Sequence, residues 1–191
     1  MANNLKFEEL TKETWKDFET LFGEKGACGG CWCMYWRLRN KEFENQKGEG
    51  NKRAMKKLVS KNEQIGIIMY LDDEPIGWCS VAPREDFIRL ANSKILKPID
   101  EKLVWSITCF FIDKNFRRQG YSVKMLKEVI DYCKKRKVRI LEGYPVEPKK
   151  DKMPPAFAWT GIAAAFLNAG FKEVVRRSET RPVMRYIIPT E

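Results

Sequence analysis

The 191-residue chain contains no histidine. That absence excludes Ser-His-Asp and Cys-His catalysis, imidazole metal ligands and a histidine general base, and it leaves proton transfer to Asp, Glu, Lys, Tyr, Cys or water. No apolar run approaches the ~18 residues of a membrane span, and the opening Met1-Ala2-Asn3-Asn4-Leu5-Lys6-Phe7-Glu8 lacks the apolar stretch of a secretory leader. A cytoplasmic protein with no membrane partner is the expectation. Internal repeats and low-complexity linkers are missing too, so one domain over 1–191 is expected, with a core of about 5–188 and variable loops at 23–50 and 83–100.

Against these absences stand 43% hydrophobic residues, with 6 Trp and 11 Phe, enough for a sizeable core. The 36 Lys and Arg exceed the 26 Asp and Glu to give a formal charge of +10, which favours an anionic partner: nucleic acid, a membrane surface or a phosphate-bearing small molecule. The densest basic run, Lys134-Lys135-Arg136-Lys137, falls at an expected helix C-terminus, where cations complement the helix dipole without any partner. The 6 cysteines, several inside apolar segments, read as buried thiols and not as a disulfide framework.

Periodicity gives the order β-α-α-β-β-β-α-β-α-β-β. LKFEEL at Leu5–Leu10 alternates as a half-buried strand, and Thr14-x-x-Asp17 has the pattern of a capping box opening a helix with Trp15, Phe18 and Phe22 on one face. Two apolar runs, Ile65–Leu71 and Ile76–Ala82, separated by Asp72-Asp73-Glu74-Pro75, form a hairpin. LVWSITCFFI at Leu103–Ile112 is apolar on both faces, as a central strand covered on both sides requires. A helix over Ser122–Lys135, a strand at Arg139–Tyr144, a helix over Gly161–Ala169 closed by Gly170, and strands at Phe171–Arg177 and Val183–Ile188 complete an α/β domain.

The stretch joining the buried strand to the longest helix is the most informative. A helix start offers free backbone N–H groups and the positive end of the macrodipole; Gly120 permits close backbone approach, and Arg117 and Arg118 add charge, so the turn suits a pyrophosphate. Arg117-x-x-Gly120-x-Ser122 after a buried strand resembles the acyl-CoA pyrophosphate loop of the GNAT N-acetyltransferase superfamily. The preceding hairpin and the later Phe166-x-x-x-Gly170-Phe171 fit the same order, and the resemblance covers about Leu5 to Ile188. It implies a mixed, splayed sheet of about seven strands with helices on both faces. It also implies that acetyl-CoA is the cosubstrate, with Phe110, Phe111 and Ile112 along the pantetheine and Arg117, Arg118, Gln119, Gly120, Tyr121 and Ser122 around the pyrophosphate. The sequence departs from the family at Ser122, where glycine or alanine is usual, and at Phe166, where a tyrosine general acid is frequent.

The resemblance further implies direct attack of an amine on the thioester. Without histidine, the base expected first is Glu142, which interrupts an apolar strand, with Glu85 and Asp86 as alternatives; Tyr144, on the same strand face, is the candidate acid. Cys109 reads as a structural thiol for want of an activating histidine. Trp32, Tyr35, Trp36 and Arg37 fall where the family lines its acceptor pocket, with Pro154-Pro155 to Thr160 as the opposite wall. Cys28, Cys31 and Cys33 supply three ligands where structural zinc needs four, so no metal is expected. The expected partners are acetyl-CoA and an amine, with no nucleic acid, and a homodimer remains open. Two other readings stand beside this one: a CoA-binding sensor without catalysis, and a basic nucleic-acid-binding module.

Overall fold

In the computed structural model, which describes residues 4–149 and 157–189, hydrophobic patterning resolves into one sheet with helices on both faces. The elements are β1 (Leu5–Glu9), α1 (Trp15–Phe22), α2 (Asn40–Asn45), α3 (Glu49–Ser60), β2 (Gly66–Leu71), β3 (Glu74–Pro83), α4 (Ile88–Ala91), β4 (Trp105–Ile112), α5 (Tyr121–Lys135), β5 (Ile140–Gly143), α6 (Ala163–Asn168), β6 (Lys172–Arg176) and β7 (Pro182–Ile187). The seven-stranded order is β1-β2-β3-β4-β5-β7-β6. Among the described residues, the central β4–β5 pair of this sheet is parallel and its other strand pairs are antiparallel.

The β2–β3 hairpin turns at Asp72 and Asp73, whose φ values of 49° and 68° are those of the tight turn that matches strand twist. Alternation along the strands sorts side chains into two cores. Ile67, Met69, Cys79, Ile107, Phe110 and Ile112 meet Met125, Leu126, Val129 and Cys133 of α5, while Ile68, Tyr70 and Trp78 meet Phe18 and Phe22 of α1 and Met55 of α3. Leu126 and Val129 are fully buried, so truncating Leu126 to alanine costs about 2–5 kcal/mol.

Three local expectations change. Thr14 does not build a capping box: its hydroxyl donates to the Glu9 carbonyl at 2.7 Å and accepts the Thr11 N–H at 2.9 Å, bracing the β1–α1 connection instead. The loop over 23–50 contains α2 and the start of α3, and the 83–100 segment contains α4. The central strand begins at Trp105 and not Leu103, which is 86% exposed.

Candidate functional site

The site is built on β4. Its pairing with β5 is confined to Trp105, Ser106 and Ile107 against Leu141, Glu142 and Gly143, after which β5 ends while β4 continues to Ile112. On its other edge the register with β3 slips: Ser80 faces Cys109 and Val81 faces Ile107, leaving Thr108 as the extra residue of a bulge. A bulge bends its strand, and this one lies where the β5 pairing stops, so the sheet splays beyond Ile107. Past the bulge, Phe110 and Ile112 pack under α5, and Cys109 and Phe111 on the α1 side. The Phe110 N–H turns away from β3 and donates to the Trp159 carbonyl at 2.7 Å, which holds residues 157–160 beside the opening.

At the far end of β4, the Asp113 carboxylate accepts the Asn115 N–H at 2.9 Å and shapes the turn toward α5. Gly120 caps α5 with φ 79° and ψ 0°; a Cβ there would meet nothing within 4 Å, so the demand for glycine is on backbone conformation, not on space. The N–H groups of Val123 and Lys124 bond back to the Gly120 carbonyl at 3.1 and 3.3 Å, and helix geometry directs those ahead of them out of the helix start. Arg118 and Gln119 are exposed beside that start, and Ser122 is half-buried in the first turn. Arg117 donates from Nε to the Ile112 carbonyl at 2.8 Å, tying the turn to the end of β4. Tyr121 is buried and meets Phe116 edge-on, which makes it a core residue of the turn.

Glu142 stands in a buried polar cluster. Its Oε1 accepts from Arg84 Nη1 at 2.6 Å and the Tyr144 hydroxyl at 2.7 Å, and its Oε2 accepts from Arg185 Nε at 2.7 Å. Strand register dictates this, because Ser106 and Arg185 are the direct neighbours of Glu142 on β4 and β7. Arg185 also grips Asp100 with two bonds of 2.7 and 3.0 Å, and its guanidinium holds the Asp100 carboxyl down at about 2. The Tyr144 hydroxyl is 2.8 Å from Ser106 Oγ and also bonded by Arg84; burial, then the Glu142 charge, push its pKa well above the ordinary phenol value. Of the alternative carboxylates, Asp86 lies 3.5 Å from Arg37. Phe166 is fully buried and edge-on to Phe171, so it is core.

The aromatic segment divides. Trp32 is a correction to its expected place in an acceptor pocket: it is 3% exposed and stacked on Phe22 at 5.8 Å, and its ring occupies the space a Cβ on Gly26 would take. Tyr35 and Trp36 instead gather on Trp159, at 5.1 and 5.6 Å between ring centroids. Thr160 accepts from Arg181 at 2.7 Å, and Pro154 and Pro155 lie outside the described residues. Arg37 is buried, 4.5 Å over the Phe87 ring. Among the described residues no cysteine-containing group has the makings of a metal site, and no helix is long and apolar enough to cross a membrane.

Sequence reasoning missed Arg84, Ser106, Asp100 and Arg185. Arg185 carried a signal, a charge inside the apolar alternation of Val183–Ile188, the same one that singled out Glu142. The others lie in connections or in an unbroken apolar run, where only strand pairing reveals them.

An open mixed sheet, splayed between its two parallel strands beside a glycine-capped helix start, defines the protein as an α/β domain. The family model described as Acetyltransferase (GNAT) family matches residues 32–149, and the chain belongs to that family. The fold is similar to that of the PaiA N-acetyltransferase from Thermoplasma acidophilum in complex with coenzyme A (13% identity, 96% of this chain and 99% of that one, TM-score 0.55). It is also similar to the ribosomal-protein-S18-alanine N-acetyltransferase from Escherichia coli (14% identity, 98% and 96%, TM-score 0.53). An aminoglycoside N-acetyltransferase in complex with CoA is a third such structure (13% identity, 93% and 94%, TM-score 0.54). No curated protein sequence matches the chain.

Proposed function

We propose that the protein transfers an acetyl group from acetyl-CoA to a primary amine by direct attack on the thioester. The observation that carries this is the splay: five residues of β4, Thr108 to Ile112, run past the end of β5 and lead straight into the Gly120 helix start. An extended pantetheine arm can add along the free edge of β4 as a strand does, with its pyrophosphate at the start of α5 beside Arg117, Arg118, Gln119 and Ser122. Backbone N–H groups of β4 are the donors for the thioester oxygen as it gains charge. To use the Phe110 N–H, the ligand must take it from the Trp159 carbonyl, so residues 157–160 shift on binding.

Tyr35, Trp36 and Trp159 form the acceptor side, an aromatic wall suited to the apolar body of an amine. Glu142, with both oxygens committed, is assigned to holding Tyr144, Arg84 and Arg185 in place and not to taking the amine's proton. Tyr144 keeps its proton at neutral pH and, to serve as donor to the departing thiolate, must turn it away from Glu142. The test is CoA thiol release from acetyl-CoA over a panel of alkylamines, polyamines, aminoglycosides and peptide N-termini, with the acetylated product identified by mass. Turnover on one class is expected; acetyl-CoA binding without turnover on any would leave a CoA-binding sensor.

A further inference from the structure

Where β4 runs past the end of β5, a short stretch, Trp159-Thr160-Gly161, ties the two sides of the opening together. On one side the Trp159 carbonyl accepts the Phe110 N–H of β4 at 2.7 Å; on the other the Gly161 carbonyl accepts the Val146 N–H, just beyond β5, at 2.9 Å. The Trp159 ring meets Tyr35 and Trp36, and the buried Thr160 hydroxyl accepts Arg181 Nη1 at 2.7 Å. Two consecutive residues therefore join the aromatic wall to a guanidinium. Arg181 itself is fixed on the β5 side, because the Thr180 carbonyl accepts the Glu147 N–H at 2.9 Å.

Arg181 is half-buried, and among the described residues no carboxylate pairs with it. The acidic side chains nearest it are committed elsewhere, Glu179 to Lys149, and Glu147 and Glu173 to Arg176. Its hydrogen bond to Thr160 uses Nη1 and leaves the Nε–Nη2 edge, the fork that grips a carboxylate with two parallel bonds. Burial also lowers the pKa of Arg181 from its ordinary value, an effect that a bound anion would offset. A second donor lies on the same wall. The Trp36 indole Nε1 is buried without a hydrogen-bond partner, on a ring stacked at 27° over Trp159. Arg89 lies 4.1 Å over the Tyr35 ring, but its Nε donates to the Leu38 carbonyl at 2.7 Å and its Nη1 to Asn40 at 3.2 Å, while its Nη2 is buried without a partner. Tied into the loop in this way, Arg89 offers a ligand no open edge. The wall thus presents donors in want of an acceptor, and Arg181 is the one with a fork to offer.

We propose that the acceptor is an amine that also bears a carboxylate, with the carboxylate in the Nε–Nη2 fork of Arg181 and the apolar body against Trp36 and Trp159. This rests on the transferase reading and names the substrate class of the same site. One open guanidinium edge matches a single negative charge, which assigns a carboxylate and not a phosphate dianion. Aromatic rings supply the surface for the body of the molecule, and the amine is left to face the thioester along β4. Acetyl-CoA prepares the place. When it takes the Phe110 N–H from Trp159, the stretch that holds both the Trp159 ring and Thr160 moves, and the Trp36 indole and Arg181 meet their acceptor in that rearranged setting. Arg181 is thus a specificity residue that touches the substrate away from the reacting atoms.

The experiment compares matched amines with and without the carboxylate: phenylalanine against phenylalaninamide, and 6-aminohexanoate against pentylamine. The readout is the ratio of kcat/KM within each pair, taken in wild type and again in Arg181→Gln. Comparing the same pair in two proteins cancels the intrinsic reactivity of each amine. A wild-type ratio favouring the carboxylate in at least one pair is expected, falling about tenfold to a hundredfold in Arg181→Gln through a raised KM for the carboxylate member. An unchanged ratio, the result of an arginine that only braces Thr160, overturns the proposal. Should Arg181→Gln fail to fold, Arg181→Lys keeps the charge without the fork and is expected to lower the ratio by a smaller factor; no change there overturns it as well. O-phosphoethanolamine against ethanolamine is run alongside, and a larger ratio for that pair overturns the carboxylate assignment.

Calorimetric titration of phenylalanine and phenylalaninamide into the CoA-bound protein separates this proposal from the reading beneath it. Tighter binding of phenylalanine to wild type, lost in Arg181→Gln, is expected whether or not turnover follows. Equal binding of the two ligands to wild type overturns the proposal. A wild type that acetylates amines without regard to the carboxylate overturns the substrate class and leaves the transferase reading standing. One that acetylates nothing yet holds phenylalanine through Arg181 removes the transferase reading and supports the carboxylate site.

Discussion

Glu142 separates a structural carboxylate from a catalytic one. It is 1% exposed, between Arg84 and Arg185, whose side chains are 13% and 8% exposed. Glu142→Ala would leave two guanidinium groups and the Tyr144 hydroxyl without their shared acceptor. Breaking a buried ion pair from one side costs about 3–5 kcal/mol. For a chain of this size, about 2–4 °C of Tm accompanies each kcal/mol, so the variant should melt roughly 6–20 °C lower. Glu142→Gln keeps the shape but loses the charge, and should fall between wild type and alanine. The assay is thermal unfolding of all three proteins, with kcat measured well below the lowest Tm. The reasoning predicts a large loss of Tm and a kcat that follows the surviving order of the cluster. An unchanged Tm with kcat abolished in both variants would refute it and restore Glu142 as the base.

Three further outcomes follow from the same geometry. Acetyl-CoA should change tryptophan fluorescence as the Trp159 carbonyl gives up the Phe110 N–H, and most of that change should vanish in Trp159→Phe; an equal change in the variant would place the movement elsewhere. The Asp100 carboxyl is depressed to about 2, below its unfolded value, so its contribution is present above pH ~4 and lost as pH falls through about 2. Denaturant titrations of wild type and Asp100→Asn should therefore differ at neutral pH and converge toward pH 2. Gly120→Ala should cost about 1–2 kcal/mol for placing a Cβ at φ 79°, with the fold intact because the Cβ meets nothing.

What could be read in the sequence was whatever local pattern controls. The apolar run of β4, the hairpin at Asp72-Asp73 and the glycine turn before α5 are each set by neighbours in the chain, and each is found where periodicity places it, to within two residues at β4. The site's inner chemistry is set by register. Glu142 was chosen because a charge interrupts an apolar strand, but whether that charge is free depends on Arg185, brought opposite by β5–β7 pairing, and on Arg84, brought in by the connection after β3. Trp32 and Trp36 sit in one aromatic run without helical or strand period, so nothing local tells the buried ring from the one that meets Trp159.

The claim on which the rest depends is that the opening between β4 and β5 and the helix start at Gly120 are one site for acetyl-CoA. Calorimetric titration of acetyl-CoA into wild type and Gly120→Glu tests it directly. The account predicts saturable one-to-one binding to wild type and none to the variant, whose carboxylate would stand where the pyrophosphate belongs, with far-UV circular dichroism unchanged between the two. No binding to wild type, or equal binding to both, would contradict it.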